Sequence, residues 1–133
     1  MVRVGSDSDV LLARQTGRRI AERVGFAGSD LTMIATAISE VARNIIRYAD
    51  KGEVVVSAIA DRGRVGVQVI ATDAGPGISD VDMAMRDGFT TGSGMGLGLP
   101  GARRLMDEFA ISSAVAEGTT VVMKKWTRGL GGL

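Results

Sequence analysis

The sequence contains no cysteine and no histidine, and each absence removes whole classes of functional site. Without cysteine there are no disulfides and no thiolate metal centres. Without histidine there is no serine–histidine triad, no HExxH zinc site and no phosphohistidine relay within the chain. Aromatic residues make up only 4% of the chain, which argues against a base-stacking surface for single-stranded nucleic acid.

Long apolar runs and a strong charge of either sign are lacking as well. No run of about 18 apolar residues is present to span a bilayer, and the first residues lack the pattern of a secretory signal. The formal net charge of +1 gives no sign of a nucleic-acid partner. We therefore expect a cytoplasmic protein that has neither a membrane nor a nucleic acid as partner.

The chain does have enough apolar material for one core. Its 133 residues are 45% apolar, which predicts a single domain over residues 1–133. Hydrophobic periodicity and turn residues predict three helices, a short first strand and two hairpins. The helices are expected over 9–24, 31–48 and 94–107, the first strand over 2–4, and the hairpins over 53–61 with 64–73 and 109–115 with 119–126.

The order of these elements predicts an α+β fold. We expect a two-layer sandwich in which about three helices cover one face of a mixed, mostly antiparallel sheet. Ser6 or Asp7 is expected to cap the first helix, and Ser29 and Asp30 the second. The polar segment 79–93 reads as a mobile connection, with a candidate short helix over 81–86.

Glu40 and Asn44 lie four residues apart on the second predicted helix, and therefore on one face of it. Both fall within the apolar stripe rather than opposite it. The amide oxygen of Asn44 suits a hard cation such as Mg²⁺, and the Glu40 carboxylate suits general-base work on a hydroxyl. The alternative is a pair of solvated polar residues at the edge of a helix.

Two glycine-rich segments follow the predicted strand over 64–73. In the first, Asp73 can accept a hydrogen bond from an exocyclic amine, while Gly75 and Gly77 permit close backbone approach to a flat ring. The second runs from Gly92 to Gly98 with glycine at every other position and leads into a helix, which suits phosphate binding by backbone N–H groups. The alternatives are an ordinary turn and a flexible loop.

A dinucleotide-binding motif is imitated but not present. Gly96, Gly98 and Gly101 match G-x-G-x-x-G, yet residues 89–95 before them do not form an apolar strand. The chain has no G-x-x-x-x-G-K-[ST] sequence and no histidine for an H-R-D loop, so a P-loop and the ordinary protein-kinase site are both excluded.

Taken in order, Glu40-x-x-x-Asn44, Asp73-x-Gly-x-Gly77 and Gly94-x-Gly-x-Gly98 resemble the N, G1 and G2 boxes of the GHKL (Bergerat-fold) ATPase superfamily. Gly118-Thr119 resembles its terminal Gly-Thr element. Among the small kinases of that superfamily, residues 36–44, 87–91 and 98–109 are most similar to the switch kinases of the stressosome, the RsbT type, which are related to the anti-sigma factor kinases.

The resemblance implies a role for each matching residue. Glu40 would act on the acceptor hydroxyl, and Asn44 would hold Mg²⁺. The nucleotide would contact Asp73, Gly75, Gly77, Thr91, Gly94, Met95, Gly96, Leu97, Gly98, Thr119 and Arg43, with residues 79–93 as the ATP lid. The lid departs from some relatives because residues 90–93 include no Lys or Arg. Charge on the transferring phosphoryl group therefore needs another partner: Mg²⁺, the helix N-terminus, or an arginine, for which Arg86 and Arg103 are candidates.

The function implied is an ATP-dependent serine/threonine kinase with ATP and Mg²⁺ as cofactors. Its substrates would be STAS-domain scaffold proteins, and after release from the scaffold it would bind a downstream phosphatase or cyclase effector. One alternative is a nucleotide-gated binding module, or an anti-sigma factor, with little catalysis. Another is a fragment that resembles the catalytic domain of a histidine kinase.

Overall fold

The structure, a computed structural model, describes residues 1–75, 85, 98–114 and 116–127. Within these ranges the chain forms three helices and five strands. In chain order they are β1 (Val2–Val4), α1 (Asp7–Val24), α2 (Ser29–Ala49), β2 (Gly52–Asp61), β3 (Arg64–Asp73), α3 (Gly98–Leu105), β4 (Glu108–Ala114) and β5 (Gly118–Trp126).

The strands form one sheet in the order β1-β2-β3-β5-β4, and every neighbouring pair is antiparallel. The described sheet is therefore wholly antiparallel, where the sequence predicted a mostly antiparallel one. The helices form a layer in which α2 packs against both α1 and α3. The predicted α+β sandwich, with helices on one face of the sheet, is confirmed.

The core lies between the helices and two rows of apolar side chains that run across the sheet. Strand residues alternate between the two faces, so residues paired across neighbouring strands share a face. The cross-strand register gives the rows Val54–Ala71–Val121–Ile111 and Val56–Val69–Met123–Phe109. Ile34, Ile38 and Val41 of α2 are at most 1% exposed, which places α2 at the centre of the helix layer.

The sequence predicted the N-cap of α1 correctly and the N-cap of α2 incorrectly. Ser6 caps α1, because its hydroxyl accepts the N–H of Asp9 at 3.4 Å, and the helix begins at Asp7 rather than at residue 9. Ser29 and Asp30 were wrong as caps of α2. The helix starts at Ser29 itself, and Gly28, with φ of 60°, is the N-cap without a side-chain hydrogen bond.

The predicted end of the third helix, at residue 107, was also wrong. Helix α3 ends at Leu105, because the backbone N–H of Asp107 already donates to the Lys124 carbonyl at 2.9 Å. The Asp107 carboxylate accepts the N–H of Trp126 at 2.8 Å, which continues the β4–β5 side of the sheet. Residues 94–97 of the predicted helix lie outside the described residues.

The hairpins were predicted to within one residue at each strand end, but that one residue matters in the second hairpin. There the structure pairs Ala114 with Gly118, whereas the sequence put the turn between residues 115 and 119. The Glu117 N–H donates to the Ala114 carbonyl at 3.0 Å and closes this turn. None of the described helices has the length and apolar character needed to cross a membrane.

Candidate nucleotide site

Asp73 is the last residue of β3, and its side chain faces the helices. It follows Val69 and Ala71 at the strand period of two, so it is on the buried face of the sheet and is 8% exposed. The residue opposite it on β5 is Thr119, which is 6% exposed. Two of the residues that the resemblance assigns to nucleotide binding therefore lie side by side where the apolar core ends.

Ser113 on β4, which no sequence motif indicated, extends this polar row. It pairs with Thr119, and the two hydroxyl oxygens are 2.7 Å apart. The Ser113 hydroxyl also donates to the Gly118 carbonyl at 3.1 Å, so the Thr119 hydroxyl is left to donate toward Ser113. Only the correct hairpin register reveals this contact, because the predicted turn would not pair these residues.

Three glycines surround Asp73, and a Cβ atom on any of them would collide with a neighbour. A Cβ on Gly52 would meet a β3 carbonyl and lie 3.1 Å from Asp73 Cβ. A Cβ on Gly118, whose φ is +93°, would meet the Asp73 carbonyl, and one on Gly75 would meet Ala49 at the end of α2. The chain around Asp73 is thus packed too closely to admit a side chain at any of these three positions.

The Asp73 carboxylate is partly used within the chain. Its Oδ1 accepts the backbone N–H of Gly75 at 3.0 Å, which is the turn chemistry expected of an aspartate followed by glycine. Among the described residues, Gly75 is the group that donates to this carboxylate. Oδ2 thus keeps its acceptor capacity toward groups outside the described residues, and an exocyclic amine of a purine fits that requirement.

Glu40 is buried on α2 and is bonded at both carboxylate oxygens. It is 5% exposed, so the alternative of a solvated residue at a helix edge does not apply to it. Its Oε1 accepts the N–H of Gly98, the first residue of α3, at 2.8 Å. Its Oε2 accepts a hydrogen bond from the Arg43 guanidinium at 2.9 Å. The carboxylate is thereby fixed at the N-terminus of α3.

Asn44 lies one turn after Glu40 and is half-buried. Ile45, the residue after Asn44, packs against Gly52 beside Asp73. At the end of the same helix, Ala49 packs against Gly75. Asn44 and Asp73 are therefore on the same side of the sheet. The described residues hold no group of three or more acidic side chains arranged for a metal ion. A divalent ion at Asn44 would therefore depend on water and phosphate oxygens, the usual setting for Mg²⁺.

Several predicted site residues lie outside the described residues: Gly77, Thr91, Gly94, Met95, Gly96, Leu97, the alternative cation Arg86, and the lid over 79–93 apart from Met85. The other cation candidate, Arg103, is described and is exposed on α3. What the structure brings together is Glu40 at the start of α3 and the Asp73–Thr119 pair at the sheet end. The last turns of α2, which carry Asn44, connect the two.

Comparison with known proteins identifies the family of the domain. The sequence model of the histidine kinase-like ATPase domain matches residues 6–125. The chain belongs to the histidine kinase-like ATPase family. The resemblance to GHKL ATPases is confirmed.

Relatives within the family refine this placement. The chain is 50% identical over 127 residues to serine/threonine-protein kinase RsbT of Bacillus subtilis (strain 168), a match that covers 96% of each chain. It is 35% identical over 103 residues to an anti-sigma F factor of Geobacillus thermodenitrificans (strain NG80-2), covering 72% of this chain and 69% of the other. The resemblance to RsbT-type kinases and to anti-sigma factors is therefore confirmed as well.

A solved structure supports the fold alone. The mycobacterial sensor histidine kinase MprB superposes with a TM-score of 0.57 at 18% identity, over 90% of this chain and 93% of the other. At that identity the similarity concerns the arrangement of helices and strands and not the chemistry of the site.

Proposed function

We propose that this protein transfers the γ-phosphoryl group of ATP to a serine or threonine of a STAS-domain scaffold protein in a stressosome-like complex. The class of enzyme follows from the 50% identity to RsbT across nearly the whole of both chains: the protein is an ATP-dependent serine/threonine kinase. The proposal adds the scaffold as substrate, the release of the kinase into the cytoplasm, and its binding to a downstream phosphatase or cyclase.

One contact carries the chemical part of the proposal. Glu40 Oε1 accepts the N–H of Gly98, which is the last glycine of the G2 motif and the first residue of α3. The N-terminus of a helix attracts phosphate through its free N–H groups and its dipole. We infer that a phosphate chain bound by the remaining N–H groups of this helix end would bring its γ-phosphate beside the Glu40 carboxylate, where a base for the acceptor hydroxyl is needed.

The transfer step assigns a role to each described residue. The acceptor hydroxyl gives its proton to Glu40, its oxygen bonds to the γ-phosphorus, and the bond between that phosphorus and the β–γ bridging oxygen breaks to leave ADP. When bound, Mg²⁺ neutralises phosphate charge, and Asn44 is the residue proposed to hold it. Asp73, supported by Thr119, is proposed to hold the adenine amine.

The test is phosphorylation of a purified STAS-domain protein by the native chain and by Glu40→Gln. Glutamine keeps an acceptor for Gly98 but is a far weaker base, so transfer is expected to fall at least about 100-fold. The ATP dissociation constant should stay within about threefold, because Glu40 is not proposed to hold the nucleotide. Glu22→Gln, an exposed glutamate on α1, is the matched control and should match the native rate.

The product distinguishes this function from the others. Acid-stable phosphate on serine or threonine is expected, whereas acid-labile phosphate would indicate histidine-kinase chemistry. Native transfer by Glu40→Gln would refute the role of Glu40. Transfer without Mg²⁺ at the native rate would refute the role of the metal.

A second function is favoured by the similarity to an anti-sigma F factor, which suggests that binding of a partner is part of the action. In this version, nucleotide occupancy sets the conformation of the protein, and the protein works by holding or releasing partners with little catalysis. Signalling and partner binding by Glu40→Gln in cells distinguish the two functions. Signalling that persists with this variant supports the binding module, and signalling that is lost while partner binding is retained supports the kinase.

A further inference from the structure

The Glu40 carboxylate is held from two different directions. Gly98 of α3 donates to one oxygen and Arg43, on the next turn of α2, donates to the other. The burial of the ion pair is very unequal: the Glu40 side chain is 6% exposed and the Arg43 side chain 53%. Arg43 therefore lies across the outer surface of α2, with its charged end reaching inward to a buried carboxylate.

Arg43 also lines a groove on the protein surface. A groove of about 320 Å³ lies between α1 and α2, and Leu11, Arg14 and Ser39 line it together with Arg43. Arg14 is fixed there by a 3.3 Å hydrogen bond to the buried Ser39 hydroxyl. Arg43 thus contacts the buried Glu40 carboxylate and also lines this surface groove, which Glu40 does not line.

We infer that Arg43 is a positioning residue that holds the Glu40 carboxylate against the first N–H of α3. The inference rests on the proposed role of Glu40 in transfer. A carboxylate bonded through one oxygen alone is free to rotate about its last torsion, which has broad, shallow preferences. A donor on each oxygen fixes that torsion and therefore the directions of the remaining lone pairs. Arg43 in this role acts through Glu40 and does not touch the nucleotide.

This role differs from the one that the sequence predicts for Arg43, which is contact with a phosphate. The two roles make different kinetic predictions. A phosphate ligand contributes to binding of ATP, so its removal raises the dissociation constant for ATP. A positioning residue for the base contributes only when the hydroxyl is aligned, so its removal lowers kcat and leaves ATP binding unchanged.

The experiment measures kcat, KM for the STAS-domain acceptor and the dissociation constant for ATP in a set of variants. Arg43→Ala is expected to lower kcat by about 10- to 100-fold, the range for loss of alignment of a reacting group, with ATP binding within about twofold of native. Arg43→Lys and Arg43→Gln each still offer a donor to Glu40 and should recover part of the loss. Arg47→Ala is the matched control: an exposed arginine one turn further along α2, expected to behave as native.

A double variant tests whether Arg43 acts through Glu40. Adding Arg43→Ala to Glu40→Gln should lower the residual rate by less than about twofold, whereas a full further loss would overturn the inference. Native kcat in Arg43→Ala, a matching rise in the ATP dissociation constant, or no recovery in Arg43→Lys and Arg43→Gln would also overturn it. Should Arg43→Ala not fold, the Lys and Gln variants carry the test. Native transfer by Glu40→Gln would instead reject the proposed function.

Discussion

Replacing Asp73 by asparagine tests the proposed adenine site with little change of shape. Asparagine keeps an oxygen that can accept the Gly75 N–H, so the turn after β3 should survive. The other position becomes an NH₂ group, which would face the amine of adenine donor to donor. The lost bond is to a charged and 8% exposed group, for which about 1.5–3 kcal/mol is typical. We expect ATP binding to weaken by about 10- to 150-fold.

The comparison nucleotide is GTP, because guanine carries an acceptor oxygen where adenine carries the amine. Binding of GTP to Asp73→Asn should improve, because the new NH₂ group can donate to that oxygen, so the preference for ATP over GTP should narrow by more than the loss of ATP affinity alone. Calorimetric titration measures both, with Asp61→Asn, an exposed aspartate at the end of β2, as the matched control. ATP binding by Asp73→Asn within threefold of native, with an unaltered melting temperature, would refute the assignment of Asp73 to the adenine.

Two further predictions concern the surroundings of the site. Gly52→Ala should lower the free energy of unfolding by about 3 kcal/mol and the melting temperature by roughly 10 °C, since its Cβ would meet backbone and side-chain atoms. The control is Gly63→Ala, at a glycine that has a positive φ but has no neighbour near its Cβ position. A smaller loss of stability in Gly52→Ala than in Gly63→Ala would contradict the prediction. Ser113→Ala should weaken ATP binding about threefold, because it removes the hydrogen-bond partner of the Thr119 hydroxyl. The exposed control Ser112→Ala should bind ATP as the native protein does. Equal ATP dissociation constants for the two variants would show that ATP binding does not depend on the Ser113–Thr119 hydrogen bond.

Local patterns predicted the first hairpin well because its turn is decided by neighbouring residues. Arg62 and Gly63 both have positive φ, at 53° and 81°, the turn geometry that lets two antiparallel strands follow their natural twist. The N-cap of α1 could be predicted for the same reason. The N-cap of α2 could not, since Gly28, with a positive φ, is the N-cap and Ser29 is already inside the helix.

The two ends of the candidate site differ in how far the sequence could reach them. Glu40 and Asn44 are related by one helical turn, so their shared face follows from spacing alone. The bond between Glu40 and Gly98 joins residues 58 positions apart, and no local pattern predicts it. Ser113 was missed for another reason: the predicted turn pairs residue 115 with residue 119, which sets Ser113 opposite Val121 and not opposite Thr119.

The position of the site follows from the alternation of the strands and from where the apolar rows stop. On the helix-facing side, the same alternation that buries Val69 and Ala71 carries Asp73 to one end of β3. On β5 it carries Lys125 to the opposite end, where the ammonium donates to the Leu105 carbonyl at 2.9 Å and so caps α3. Both are polar groups delivered to a buried face, where they need partners.

The two buried polar groups differ in how many hydrogen-bond and ion-pair partners the described residues give them. Lys125 is 7% exposed and finds a helix carbonyl together with Asp107, whose carboxylate is 4.0 Å away, so its charge serves the fold. The Asp73 carboxylate receives a single backbone N–H from the described residues, that of Gly75. A buried acceptor with spare capacity is suited to a ligand that donates, and this physical reason supports the proposed contact of a purine amine with Asp73.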